Sequence, residues 1–138
     1  MNVAFFLTPK SEVSFLYDDF TVRQGLEKMK YHGYTAIPVI TKDGKYVATV
    51  SEGDFLWLIV DRYLNKMEVN DKKLEKISIK EILNIDRYKS VKITASINEL
   101  VSLSLNQNFV PIVDDTNNFI GIVSRKKIIE HFSKTKKA

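Results

Sequence analysis

The chain has no cysteine, two histidines, three prolines and five glycines among its 138 residues. Without cysteine there are no disulfides and no thiolate metal sites, which suits a reducing compartment. His32 and His131 fall at expected helix ends in different halves, with no repeated acidic spacing around them, so no metal-ligand cluster or His-based catalytic set is visible. The few glycines form neither a Walker-type nor a dinucleotide motif. No apolar run approaches the roughly 20 residues that span a bilayer. The opening Met1–Pro9 is too short for a signal peptide and lacks its basic flank. A soluble, cytoplasmic protein is expected, with no catalytic residues, no metal, no cofactor and no membrane partner.

What is present is ordinary for a globular chain, at 44% hydrophobic and 28% charged residues. The net charge of +4 hints at nucleic acid until it is located. Lys134, Lys136 and Lys137 supply most of it, and elsewhere, as in Asn70–Lys76, the signs alternate as on a solvated surface. No basic face with interleaved aromatics stands out.

The chain says one thing twice. Ala36-Ile-Pro-Val-Ile and Tyr46-Val-Ala-Thr-Val-Ser51 return as Phe109-Val-Pro-Ile-Val and Phe119-Ile-Gly-Ile-Val-Ser124. Pro38 pairs with Pro111, Ala48 with Gly121, Val50 with Val123 and Ser51 with Ser124, all at one offset. Two copies imply two similar units, each marginal alone at about 65 residues, that fold together and leave clefts for small ligands.

Each copy reads strand, helix, strand, strand, helix. In the first, Val13–Leu16 is a strand candidate, and Thr21 caps a helix with Val22, Leu26 and Met29 on one face, ending near Gly33. Ile37–Ile40 is a continuously apolar strand, Lys42–Lys45 a turn, Tyr46–Val50 a second strand, and Ser51 opens a helix to about Met67. A short helix is expected over Ser78–Asn84. In the second copy Val91–Ile93 is a strand, and Ser96 caps a helix bearing Ile97, Leu100, Val101 and Leu105. Phe109–Val113 and Phe119–Val123 form a hairpin, and Arg125 to about Phe132 is the last helix. The expected division is a first module at 1–67, a linker at 68–77 and a second module at 78–138. The helix from Glu52 is apolar almost all round over its first turns, so it is either a central core helix or one that also presents Trp57 to a second subunit.

This doubled β-α-β-β-α order, with a small-apolar-Pro-apolar strand and Gly-Ile-Val-Ser leading into a helix, resembles the cystathionine-β-synthase (CBS) domain pair. The likeness covers about Thr8 to Phe132 and implies an α+β fold of two modules related by a pseudo-twofold axis, a Bateman-type unit. Tyr34–Pro38 and Ser124–Lys126 look most like the small stand-alone bacterial CBS proteins, some of which bind cyclic di-AMP. The resemblance implies adenine-nucleotide sites in two clefts and a homodimer made through helices. It assigns ribose and phosphate contacts to a Ser or Thr and an Asp three residues on. Ser51 and Asp54 match, whereas Ser124 is followed by Lys127 in the acidic position. By the same likeness Asn108 and Phe109 complete the cleft of Ser51, Gly53 and Asp54. Ser14, Tyr34, Thr35, Ala36 and Pro38 complete that of Ser124, Arg125 and Lys127.

The same residues have a second explanation. A Ser with an acidic residue three positions on is a capping box, worth about 1 kcal/mol. A helix N-terminus with free N–H groups is equally an anion site. Gly53 costs the first turn about 0.5–1 kcal/mol relative to Ala, a choice that makes sense if a ligand needs close backbone approach. Arg125, Lys126 and Lys127 begin a helix at its positive end, where each cation is disfavoured by about 0.3–1 kcal/mol. They are either simply solvated or answered by a phosphate, which would reverse that sign. One preferred nucleotide site, at the basic cleft, is expected, the other being weaker or empty. The expected function is a regulatory protein that binds AMP, ADP, ATP or cyclic di-AMP and signals to a downstream protein partner. The alternatives are a ligand-independent interaction module and, at less weight, a nucleic-acid accessory using the Lys134–Lys137 tail.

Overall fold

The computed structural model describes residues 1–135 and divides the chain into two compact units, one of Phe15–Arg87, the other of Met1–Ser14 together with the chain from Tyr88 onward.

In the Phe15–Arg87 unit, β2 (Leu16–Tyr17), β3 (Ala36–Ile40) and β4 (Tyr46–Ser51) form a sheet in the order β2-β3-β4, with β2 parallel and β4 antiparallel to β3. The apolar run of β3 is buried from Ile37 to Ile40, as a central strand with both faces covered requires. Helix α1 (Val22–His32) begins at a reciprocal cap: Thr21 Oγ1 accepts from Gln24 N–H at 3.2 Å and Gln24 Oε1 from Thr21 N–H at 2.8 Å. It ends at Gly33, whose φ of 70° favours glycine. Helix α2 (Glu52–Leu64) stops three residues before Met67, because Lys66 turns to φ 55° and Asn65 Nδ2 donates to Asp61 O at 2.7 Å. The core joins Leu16, Val22, Met29, Ile37, Val39, Val50 and Phe55.

The stretch 68–77, expected as a linker, carries the single-turn helix α3 (Asp71–Leu74) and buries Leu74 in that core. Ser78–Ile82, expected at the start of the second module, packs here too. Val22 N–H donates to Ile77 O at 2.8 Å, Ile79 N–H donates to Phe20 O at 2.9 Å, and the Ile79 side chain is fully buried. The short helix expected there is a single 3-10 turn, Ile79–Ile82.

In the other unit, β1 (Thr8–Pro9), β5 (Val91–Lys92), β6 (Phe109–Val113) and β7 (Phe119–Ser124) are ordered β1-β7-β6-β5. Helix α4 (Ile97–Ser104) is capped by Ser96, and α5 (Arg125–Thr135) follows β7 directly. Val3 and Phe6 join Val91, Leu100, Val110, Ile112, Val123 and Ile128 in its core. The expected strand Val13–Leu16 is thus replaced by β2 on one side and by β1, which pairs antiparallel with β7, on the other. Gly121 makes that pairing possible. Its φ is 154°, and a Cβ there would lie 2.2 Å from the Thr8 carbonyl oxygen.

The repeat holds to the level of register. Ala36 faces Ser51 and Ile37 faces Val50, as Phe109 faces Ser124 and Val110 faces Val123, and both hairpins slip at the same place, Val39/Ile40 and Ile112/Val113. Pro38 and Pro111 each sit one residue before the parallel pairing begins, so their missing N–H costs no bond to β2 or β5. In the β6–β7 turn, Asp114 accepts from Asn118 and Thr116, and these bonds hold its carboxyl down at about 2.

Candidate functional site

In the Phe15–Arg87 unit the strand-to-helix corner forms because β4 ends at Ser51, in extended conformation, and α2 starts at the next residue. Asp54 closes it. Its Oδ2 accepts from Ser51 N–H at 2.8 Å and from Ser51 Oγ at 3.1 Å, the acidic half of a capping box. Its Oδ1 lies 3.0 Å from Arg87 Nη1, which also donates to Ser51 Oγ at 2.8 Å. Asp54 is 7% exposed, so its charge is answered inside the protein rather than by water. Packing does not demand glycine at Gly53, since a Cβ there would meet Ser51 Oγ at 3.6 Å and Arg87 Nη1 at 3.9 Å, ordinary contacts. A cavity of about 290 Å³ adjoins, lined by Asp54, Trp57, Leu58, Asp61, Glu81, Ile82 and Arg87. Arg87 is the residue that sequence reasoning missed. Its partners lie more than thirty positions back, and no local periodicity marks it.

Of the residues preceding Pro38, Thr35 is held beside this corner, its carbonyl accepting from Glu52 N–H at 2.9 Å. Tyr34 stacks on His32 and lines a groove of about 390 Å³ with Leu26, Met29, Phe55 and Ile59. Ala36 is half-buried and Pro38 buried within β3.

The equivalent corner of the other unit has different chemistry. Ser124 Oγ caps α5 by accepting from Lys127 N–H at 3.2 Å, and Asn108 O accepts from Arg125 N–H at 2.8 Å. Lys127 Nζ donates to Thr8 Oγ1 at 2.8 Å, a contact that strand β1 supplies and that nothing local in the sequence announces. Arg125 turns away from its own helix end. Its Nε donates to Ser104 O at 2.8 Å and its Nη2 reaches Leu105 O at 3.5 Å, satisfying carbonyls at the end of α4. Lys126 pairs with Glu130 at 3.9 Å on the surface. Phe109 is buried, its ring 5.5 Å from that of Tyr88, and Ser14 is half-buried.

The two corners therefore suit different ligand groups. A buried carboxylate beside a hydroxyl recognises donors, such as a pair of sugar hydroxyls or a guanidinium. A helix N-terminus carrying Lys127 recognises an anion. Among the described residues, no three His, Asp or Glu side chains gather as a metal would require, and no helix is long and apolar enough to cross a membrane. Helix α2 buries only Asp54 and Phe55 and leaves Leu56, Trp57, Tyr63 and Leu64 exposed, Trp57 at 63%, so it is not the central core helix its composition allows. Lys136 and Lys137 of the basic tail lie outside the described residues.

The model of the CBS domain matches this chain twice, over residues 7–61 and 78–134. An uncharacterized protein of Methanocaldococcus jannaschii, MJ1426, is 27% identical over 139 residues, covering 83% of each chain. The structure is similar to that of CbpB from Listeria monocytogenes in complex with c-di-AMP, with a TM-score of 0.81, 21% identity, and coverage of 98% of this chain and 97% of that one. It is also similar to that of CBSX2 in complex with AMP, with a TM-score of 0.77, 21% identity and coverage of 98% of both chains. Two matched copies, each a β-α-β-β-α unit ending in a serine-capped helix, make this chain a member of the CBS domain family.

Proposed function

We propose that this chain is a regulatory CBS-pair protein that acts through binding, taking one adenine nucleotide with its phosphate at the Ser124–Lys127 corner. The observation that carries this is the replacement of the buried Asp54 of one copy by Lys127 in the other, at the mouth of an equivalent helix. A phosphate there meets the α5 N-terminus and the Lys127 ammonium, whose hydrogen-bond partner among the described residues is the neutral Thr8 hydroxyl. The likeness to structures holding AMP and c-di-AMP supports the ligand class. Output follows by linkage: a ligand that prefers one state of the protein stabilises it, and a partner protein reads that state.

Thermal unfolding with AMP, ADP, ATP, cyclic di-AMP and S-adenosylmethionine, each at about 1 mM, tests the reading. A ligand at 100 times its Kd adds about 2.7 kcal/mol. A shift with one of the nucleotides that is lost in Lys127→Ala supports it. The absence of any shift refutes it and favours an interaction module. The exposed apolar residues of α2 favour a homodimer in either case, since a face of Leu56, Trp57, Tyr63 and Leu64 on one helix is a surface a second copy can cover.

A further inference from the structure

The Ser51–Asp54 corner already has an occupant, supplied by the chain itself. Asp54 is mostly buried, and its two local donors both come from Ser51. The remaining oxygen and the Ser51 hydroxyl share one nitrogen, Arg87 Nη1, at 3.0 and 2.8 Å. That nitrogen stands where the hydroxyls of a vicinal diol would have to stand to donate to the same two groups. The Arg87 side chain is nonetheless 39% exposed, so it can leave the corner without carrying its charge through the core. We infer that Arg87 is a built-in competitor of diol-bearing ligands, and that it keeps the Ser51–Asp54 site closed while the Ser124–Lys127 site stays open. This rests on the nucleotide reading above and adds which site is silent and why.

A binding site whose competent state is a minor population loses affinity in proportion to that population. With Arg87 displaced in about 1–10% of molecules, its removal tightens diol binding about 10- to 100-fold. Displacement has a second effect. Arg87 is the last residue of its unit, and the chain beyond it is gripped in the other unit by Gln107, whose Oε1 accepts from Lys89 N–H at 2.8 Å and whose Nε2 donates to Lys89 O at 3.0 Å. A ligand that expels Arg87 therefore frees the last residue of its unit from Ser51 and Asp54.

Calorimetry with AMP on the full chain tests this, with 2′,3′-dideoxy-AMP as the ligand lacking the diol. Wild type is expected to bind one AMP and Arg87→Ala two. The double variant Arg87→Ala/Lys127→Ala should keep only the new site, which rejects the dideoxy ligand and is abolished by adding Asp54→Asn. One AMP on Arg87→Ala with none on Arg87→Ala/Lys127→Ala overturns the inference and leaves the basic site standing. Two AMP on wild type overturns it as well. No AMP on wild type but one on Arg87→Ala overturns the basic-site reading and supports the closed corner. If Arg87→Ala does not fold, Arg87→Gln, which keeps neutral donors near Asp54, is titrated instead, and wild-type stoichiometry there counts against the inference.

Discussion

Arg125→Ala sets two opposed terms against each other, and the structure decides their balance. As the first residue of α5, Arg125 places a cation at the positive end of a helix, and removing it recovers about 0.3–1 kcal/mol. The same guanidinium donates to Ser104 O at 2.8 Å and reaches Leu105 O at 3.5 Å, at the end of a helix that has no basic residue in its last turn. A charged hydrogen bond of this kind is worth about 1.5–3 kcal/mol. The half-exposed position argues for the lower figure, and favourable interaction with the α4 dipole adds about 0.3–1 kcal/mol. The cap wins, and Arg125→Ala should destabilise by about 1 kcal/mol. With a urea m-value of about 1–3 kcal/mol/M, the midpoint falls by roughly 0.3–1 M. Arg125→Lys, with a single donor group, should fall in between. Equilibrium unfolding followed by circular dichroism reads all three proteins. A midpoint unchanged or raised in Arg125→Ala would mean that the carbonyl bonds contribute nothing against the dipole penalty, and the reasoning fails.

Gly121→Ala drives a methyl into the Thr8 carbonyl, 2.2 Å away, at a φ that alanine resists. It should cost about 2–4 kcal/mol and expose Met1–Ser14 to proteolysis. Unfolding curves that overlay those of wild type would show that β1 does not depend on Gly121. Trp57→Glu should leave a folded protein, because Trp57 is mostly exposed, and should halve the mass seen by light scattering if α2 joins two copies. An unchanged mass would remove α2 from any such contact.

Features set by neighbours in sequence were readable in the chain. The Thr21 cap, the Gly33 stop and both hairpins lie where their residues put them, and the repeat extends even to a shared bulge. What escaped depends on partners far along the chain. Strand β1 is two residues long, too short for any periodicity, and exists only because β7 offers a glycine opposite. The charged run 68–77 looks like a linker, yet a single Leu74 buried in the core holds it down. At the site, the capping box and the ligand corner turned out to share atoms: Asp54 accepts from Ser51 N–H and faces Arg87 as well. The three successive bases reading Arg125–Lys127 look alike in sequence, but the fold sends them to carbonyls, a carboxylate and a hydroxyl in turn.

The pairing of Thr8 and Pro9 with Ile122 and Gly121 also sets an order of events during synthesis. Everything in the Phe15–Arg87 unit is available once Arg87 has left the ribosome. Val3 and Phe6 must wait for β7, roughly a hundred residues behind them, which at about 5–20 residues per second is on the order of 10 s. Through that interval the Met1–Ser14 segment has no β7 to pair with, while every strand of the first copy has been made. The first copy offers alanine, at Ala48, where the second has Gly121. One methyl group thus separates the two copies at the position where β1 pairs.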